Sequence, residues 1–163
     1  MIKPTRSTEI FLTQASFAIV CSQYNAEYTE SMLDAAQKTL ITAGATCEII
    51  RVAGAFEIPI AAAAVIARKI RRPVAVLCLG LIWQGETNHA EHIGEAVTRA
   101  LMEISVRTGV PCIHEVLTVQ TRKQAIKRCQ TPETNRGREA ALTALSLHQT
   151  LEVVRKGSKS PSP

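Results

Sequence analysis

The stretch GLIWQGETNHAEHI at residues 80–93 decides how we interpret this chain, and it follows the apolar run VAVLCL at residues 74–79. A short apolar run that leads into a long helical pattern is typical of a buried β-strand followed by an α-helix. In open α/β sheets, ligands bind at the carboxyl ends of the strands. The sequence therefore predicts that a ligand site, if the chain has one, lies at this junction.

The junction has a structural and a chemical interpretation. In the structural one, the glycines turn the backbone, and Thr87 or Asn88 caps the helix, with Glu91 completing a capping box if Asn88 is the cap. In the chemical one, backbone amides at the start of the helix bind an anion. His89 would then transfer protons near neutral pH. The local sequence leaves both interpretations open.

Composition and charge limit the class of protein. The 163 residues fit one domain, and 46% hydrophobic residues with 4% aromatics suit helices packed on a parallel sheet. The net charge of +5 lies mostly at the chain ends and in a basic cluster at residues 68–72, without interleaved aromatics, which disfavours nucleic-acid binding. No apolar run reaches membrane-spanning length, and five cysteines without a Cys-x-x-Cys pair indicate reduced thiols. We therefore expect a cytoplasmic protein with no membrane partner.

The hydrophobic pattern alternates between strands and helices. Strands are predicted at residues 16–21, 46–52, 74–79 and 112–117, and helices at residues 26–43, 59–70, 89–107, 121–129 and 136–154. This alternation predicts an α/β three-layer sandwich, with a four-stranded parallel sheet of flavodoxin-like order and helices on both faces. We expect an N-terminal arm over residues 1–15 with a short strand or arm segment at 9–13, one domain over 16–155, and a disordered tail over 156–163.

Four loops are expected to meet at the carboxyl edge of the sheet, at residues 22–25, 53–57, 81–89 and 118–121. Tyr24 and Phe56 would either stack on a flat heterocycle or pack within the protein. Glu57 would accept hydrogen bonds from ring N–H groups or only occupy the first turn of a helix. Arg128 would clamp a phosphate or lie exposed at a helix end. The spacing of the histidines at 89 and 92 offers no third ligand, so no metal site is expected.

A set of short motifs spans residues 16–147. In chain order the motifs are Tyr24-Asn25, Gly54-Ala55-Phe56-Glu57-Ile58-Pro59, Gly80, Gly85-Glu86-Thr87-x-His89, Gly109-Val110-Pro111, Val116-Leu117-Thr118, Gln124-Ala125-Ile126-x-Arg128 and Asn135-x-Gly137-x-Glu139-Ala140-Ala141. Each motif alone is weak, but in this order and spacing the set resembles the lumazine synthase family of riboflavin biosynthesis.

The resemblance implies a transferase that joins 5-amino-6-(D-ribitylamino)uracil to 3,4-dihydroxy-2-butanone 4-phosphate, with no cofactor and no metal. The product is 6,7-dimethyl-8-ribityllumazine, formed in the penultimate step of the pathway. By resemblance His89 is the acid/base. The phosphate would be bound by Gly85, Glu86, Thr87 and Arg128. The other substrate-binding positions that the resemblance implies are Tyr24, Ala55, Phe56, Glu57, Leu81, Ile82, Trp83, His114 and Arg136.

The chain departs from the family pattern at several positions. Ala53 stands where the family usually has proline, and Trp83-Gln84 where it usually has Ile-Arg. Ala90-Glu91 replaces an aromatic-acid pair, and Arg136 replaces a lysine. His114-Glu115 stands where an aromatic and a glycine are usual. The change at His114-Glu115 is the most serious, because in the family the aromatic comes from a neighbouring subunit and packs over the pyrimidine.

The resemblance also bears on partners. It implies a homopentamer, with an icosahedral shell of pentamers left open, and a functional link to riboflavin synthase. Three other functions stay open: a flavin- or lumazine-binding protein without turnover, a shell protein with vestigial sites, and a nucleotide binder of flavodoxin-like fold. The last is disfavoured because the chain has no phosphate-loop signature.

Overall fold

The computed structural model describes residues 13–157, and it contains the predicted alternation of strands and helices. The strands are β1 (Ser16–Ser22), β2 (Thr46–Val52), β3 (Val76–Trp83) and β4 (Cys112–Val119). The α-helices are α1 (Ala26–Thr42), α2 (Ile58–Ile66), α3 (His89–Thr108), α4 (Arg122–Cys129) and α5 (Arg136–Arg155). Short 3₁₀ turns at Ala55–Glu57 and Pro132–Thr134 precede α2 and α5.

The strands form one parallel sheet in the order β2-β1-β3-β4. One buried cluster joins a face of the sheet to α1, α4 and α5, and a second joins the opposite face to α2 and α3. The strands at the centre of the sheet are therefore apolar on both faces, as is typical of parallel sheets covered by helices. This arrangement confirms the predicted three-layer sandwich.

The third strand is longer than the sequence indicated. We expected residues 74–79, but β3 continues to Trp83 and pairs with β4 along its whole length. Gly80 is not a turn residue, because it lies inside the strand. A Cβ there would come within 3.1 Å of Ile58, 3.2 Å of Val116 and 3.3 Å of Ser22. The glycine is required by crowding between the sheet and α2, and the predicted tight turn at this position is wrong.

Two other elements end two or more residues away from the predicted position. Helix α2 ends at Ile66 instead of residue 70, and residues 68–72 are exposed. These basic residues offer no apolar face to pack, and packing supplies most of the stability of a short helix. Strand β4 extends to Val119, two positions past the predicted end, so that Thr118 belongs to the strand and not to a loop.

Helices α1 and α5 cross at very short range. A Cβ on Gly137 would lie 1.9 Å from the backbone oxygen of Met32, so only glycine fits at this point. Asn135 begins α5 by accepting hydrogen bonds from the backbone N–H groups of Gly137 (2.9 Å) and Arg138 (3.3 Å). The close crossing holds the start of α5 against α1. It thereby fixes the position of Arg136, which lies between Asn135 and Gly137 in the chain.

The predicted arm and tail fall largely outside the described residues. Of the segment at 9–13, only Thr13 is described, and its N–H donates to the carbonyl of Ala43 at 2.8 Å. Within residues 13–157, no helix is long and apolar enough to cross a membrane. Over the same range, no group of three or more His, Cys, Asp or Glu side chains is arranged to hold a metal ion.

Candidate active site

The loop after β1 is tied to the end of β3 by Asn25. This residue has a left-handed backbone (φ 62°), and its side-chain amide donates to the carbonyl of Leu81 at 2.7 Å. Its side-chain oxygen accepts a hydrogen bond from Nε1 of Trp83 at 3.0 Å. The indole also meets the ring of Tyr28 edge-on, with centroids 5.9 Å apart. Two of the predicted loops therefore form one connected surface at the carboxyl edge of the sheet.

Two aromatic rings extend from this surface into solvent. The side chains of Tyr24 and Phe56 are 70% and 62% exposed, so neither is a core residue of the described chain. Gly54 lies beneath Tyr24, because a Cβ on this glycine would come 2.9 Å from the tyrosine ring. Glu57 accepts a hydrogen bond from the N–H of Gly54 at 2.9 Å through Oε2. The rings are thus available for stacking, while the buried Ala55 anchors the turn between them.

The loop between β3 and α3 is braced by Gln84. The side-chain amide of Gln84 donates to the carbonyls of Gly85 and Thr87, both at 3.2 Å. A Cβ on Gly85 would meet nothing within 4 Å, so the fold itself does not demand glycine here. The backbone of the loop is therefore open to a molecule outside the chain.

His89 is the exposed first residue of α3, and Asn88 occupies the N-cap position. The Asn88 side chain makes no capping hydrogen bond, and Thr87 instead accepts one from the N–H of His89 at 3.4 Å. The predicted capping box between Asn88 and Glu91 is therefore wrong. Thr87 therefore contributes to capping, while the side chains of Glu86 and His89 and the backbone of Gly85 are exposed.

A cavity of about 450 Å³ brings the two predicted arginines together. Arg128 ends α4 and Arg136 begins α5, and both line the cavity. The other lining residues are Gln84, Leu117, Thr118, Val119, Gln120 and Gln124. Gln84 therefore connects the loop that carries His89 to the cavity that carries the arginines.

The polar residues Gln84, Thr118, Gln120 and Gln124 were not predicted as site residues. One signal was available in the sequence, because Thr121 and Gln124 form a capping box at the start of α4. The Gln124 side-chain oxygen accepts from the N–H groups of Gln120 (2.8 Å) and Thr121 (3.2 Å). This box turns the chain sharply at the end of β4, and the turn forms one wall of the cavity.

Glu115 lies behind Arg136. Its Oε2 is 3.2 Å from Nε of Arg136, and its side chain is only 13% exposed. Burial raises the pKa of Glu115 to about 7, against the opposing effect of the Arg136 charge. Glu139, one turn along α5, hydrogen-bonds to Nη1 of the same guanidinium. The arginine thus stands between two carboxylates.

His114 lies on the opposite face of β4. Its Nδ1 accepts from the N–H of Val116 at 3.3 Å, so Nε2 carries the proton that is donated to Thr98 at 2.7 Å. Burial lowers the pKa of His114, which keeps the ring neutral at pH 7. The imidazole is therefore held against α3 and does not line the arginine cavity.

The predicted site residues form three groups in the described chain. Tyr24, Ala55, Phe56, Glu57, Leu81, Ile82 and Trp83 surround the ends of β1 to β3, and the side chains of Leu81 and Ile82 are buried. Gly85, Glu86, Thr87 and His89 form the exposed loop into α3. Arg128 and Arg136 share the cavity, and His114 stands apart from all three groups.

Comparisons with known proteins identify the family of the chain. The sequence profile of the 6,7-dimethyl-8-ribityllumazine synthase family matches residues 14–152. The 6,7-dimethyl-8-ribityllumazine synthase of Xylella fastidiosa (strain 9a5c) is 36% identical over 141 residues, covering 85% of this chain and 90% of that protein. The enzyme of the same name from Desulfotalea psychrophila is 33% identical over 144 residues, which cover 85% of this chain and 90% of that protein. The enzyme of the same name from Xanthomonas euvesicatoria is 36% identical over 145 residues, which cover 87% of this chain and 93% of that protein. The chain therefore belongs to the 6,7-dimethyl-8-ribityllumazine synthase family and is a transferase of riboflavin biosynthesis.

Proposed function

We propose that this chain condenses 5-amino-6-(D-ribitylamino)uracil with 3,4-dihydroxy-2-butanone 4-phosphate to give 6,7-dimethyl-8-ribityllumazine, phosphate and water. One observation carries the proposal: the open loop with His89 is joined through Gln84 to a cavity lined by Arg128 and Arg136. A proton-transfer group, free backbone amides and two guanidinium groups are what the loss of a phosphate requires. The reaction needs no metal and no cofactor, and the cytoplasm is its expected location.

The proposed mechanism divides the work between these groups. The amine of the uracil attacks the ketone and water leaves, which gives a Schiff base. Loss of a proton from the adjacent carbon expels phosphate and leaves an enol that becomes a ketone. The ribityl-bearing nitrogen attacks this ketone, a second water leaves, and the ring of the lumazine is closed. His89 moves protons in these steps, because an imidazole can both accept and donate a proton. The amides of residues 85–87, the Thr87 hydroxyl and Arg128 bind the phosphate.

The exposed rings hold the pyrimidine in this proposal. Tyr24 stacks on one face of it, and Phe56 encloses the ribityl chain. Glu57 already accepts from Gly54 through Oε2, which orients the carboxylate so that Oε1 can accept from a ring N–H group. Fixed placement of two reactants accounts for much of the rate in such condensations.

The proposed assembly is a homopentamer in which neighbouring subunits share each site, with an icosahedral shell of pentamers as a further possibility. The family membership supports it, and so do the exposed apolar side chains of Ile60 on α2 and of Met102 and Val106 on α3. The separation of His114 from the rest of the site fits a residue that serves a neighbour. Riboflavin synthase is the enzyme that would consume the lumazine.

A second candidate function is a lumazine- or flavin-binding protein without turnover. It is favoured by His114-Glu115, because a neutral imidazole bonded to Thr98 and a buried carboxyl replace the usual aromatic and glycine. The two functions differ in turnover, whereas both predict binding of lumazine.

The deciding experiment follows lumazine absorbance when the purified chain meets both substrates, read against the uncatalysed condensation. His89→Ala should slow turnover on the order of tenfold to a hundredfold, at or below the usual contribution of one proton-transfer group. His92→Ala is the matched control, since this exposed histidine lies on the same helix and should leave turnover unchanged. Equal rates for wild type and His89→Ala would remove His89 from the mechanism.

A separate variant tests whether Arg128 binds the phosphate group of the substrate. Arg128→Ala should raise the KM of the phosphate substrate more than that of the uracil, because it removes a charged donor from the cavity. Lys127→Ala removes the neighbouring exposed charge on α4 and serves as the control. An unaltered KM in Arg128→Ala would refute the clamp assignment. Lumazine binding without turnover above background would favour the second candidate function.

A further inference from the structure

Arg136 is shared between the protein and the cavity. Its guanidinium lines the cavity beside Arg128, yet its Nε faces Glu115 and its Nη1 bonds to Glu139. Although Nε is in ionic contact with Glu115, it is buried and makes no aligned hydrogen bond among the described residues. The guanidinium is therefore held by charge, without a fixed hydrogen bond to Glu115.

The sum of charges around the cavity depends on Glu115. Arg128 and Arg136 contribute two positive charges, and Glu115 and Glu139 contribute two negative charges when both are ionised. The group is then neutral overall and attracts an anion weakly. If Glu115 is protonated, the group carries one net positive charge, and one edge of Arg136 is no longer neutralised.

We propose that Glu115 sets the affinity of this cavity for anions, because its carboxylate competes with a bound anion for the guanidinium of Arg136. Ionised Glu115 weakens binding of a phosphate-like anion, and neutral Glu115 releases Arg136 to it. The inference rests on the proposed function only in taking the arginine cavity as the anion site. It assigns to Glu115 the role of setting anion affinity through its contact with Arg136.

The competition should be sensitive to pH near neutrality. The charged and titratable groups that face Glu115 are Arg136 and Glu139 on α5, and Arg128 and Cys129 on α4. Burial raises the pKa of Cys129 to about 11, so its thiol stays neutral, and burial raises the pKa of Glu115 to about 7. If an anion binds more tightly when Glu115 is neutral, then by linkage the bound anion also favours protonation of Glu115.

The test measures sulfate binding to the full chain by calorimetry, because sulfate keeps its charge where phosphate titrates. At about pH 8.5, above the titration of Glu115, Glu115→Gln should bind sulfate about five- to tenfold more tightly than wild type, at the low end of usual coupling factors. At about pH 5.5 the two proteins should bind equally, since Glu115 is then neutral in wild type. As pH rises, the affinity of wild type for sulfate should fall by more than that of Glu115→Gln.

Two further variants separate competition from general effects. In an Arg136→Gln background, Glu115→Gln should change sulfate affinity by less than twofold at both pH values, because the contested guanidinium is gone. Glu48→Gln removes a carboxylate that pairs with Arg68 at the opposite end of the sheet, and it should leave sulfate binding unchanged. Thermal unfolding of each variant verifies that it is folded.

Equal or weaker sulfate binding by Glu115→Gln at high pH would overturn the inference, and so would the absence of sulfate binding at any pH. Failure of the proposed function is a separate result. A chain that forms no lumazine yet shows the expected sulfate pattern keeps the role of Glu115 and loses the reaction. A chain that forms lumazine without the sulfate pattern keeps the reaction and loses the role of Glu115.

Discussion

Gly137→Ala tests the close contact between α1 and α5. The added Cβ would lie 1.9 Å from the backbone oxygen of Met32, and 2.5 and 2.7 Å from its carbonyl carbon and Cα. These are backbone atoms inside α1, so they cannot rotate aside, and α1 and α5 would have to separate. Overpacking of this kind costs about 1–3 kcal/mol and occasionally more. Because backbone atoms cannot give way, the cost lies at the upper end of this range, about 3 kcal/mol. The helix preference of alanine returns at most about 1 kcal/mol, which leaves a net loss of about 2–3 kcal/mol.

Urea unfolding at a fixed protein concentration measures this loss. We expect the midpoint to fall while the dependence on denaturant stays the same. Gly94→Ala is the control within α3, where a Cβ would meet only the Thr118 hydroxyl at 3.3 Å. That variant should be as stable as wild type, or more stable by up to about 1 kcal/mol. If Gly137→Ala unfolded at the midpoint of wild type, the close packing of α1 on α5 would be wrong.

Three further predictions concern the site and its supports. Gly54→Ala should displace the ring of Tyr24, because the added Cβ would approach it to 2.9 Å. The KM of the uracil should rise by up to about tenfold, which is the contribution of one aromatic contact, and an unchanged KM would contradict stacking. Asn135→Ala should lower the free energy of unfolding by about 2 kcal/mol, measured in urea, because it removes the cap of α5. Glu115→Gln should be more stable than wild type above pH 7, by up to about 3 kcal/mol, with the difference vanishing towards pH 4.5 in pH-dependent unfolding. The sign follows because this carboxyl ionises near 4.5 when unfolded and near 7 when folded, so the wild type loses stability as pH rises between these values; a constant difference would contradict the raised pKa.

The sequence predicted the sheet well because its central strands, β1 and β3, are apolar and buried on both faces. The second strand was predicted at its observed bounds, and Gly44 ends the turn after α1 with a left-handed backbone (φ 77°), as expected of a glycine there. Gly80 misled the prediction because crowding and turning both select glycine. Only the neighbours of Gly80, on two other strands and on α2, distinguish the two causes.

The positions of the site loops follow from the predicted topology, whereas the ion pair of Arg136 with Glu115 does not. Tyr24 lies in the loop after β1 and His89 at the end of the loop after β3, so the topology alone brings them to one edge of the sheet. The pairing of Glu115 with Arg136 joins β4 to α5 across twenty-one positions of sequence. No local pattern indicates such a contact. Likewise, the hydrogen bond from His114 to Thr98 depends on how α3 packs on β4.

The chain contains a single tryptophan, and this gives the site a built-in optical signal. Trp83 lies at the end of β3, 37% exposed and bonded to Asn25, with the ring of Tyr28 beside it. All indole emission from the folded protein therefore originates at the edge where the substrates are proposed to bind. A ligand that enters there changes the solvation of the indole, and its arrival can be timed in a stopped-flow fluorimeter without any label.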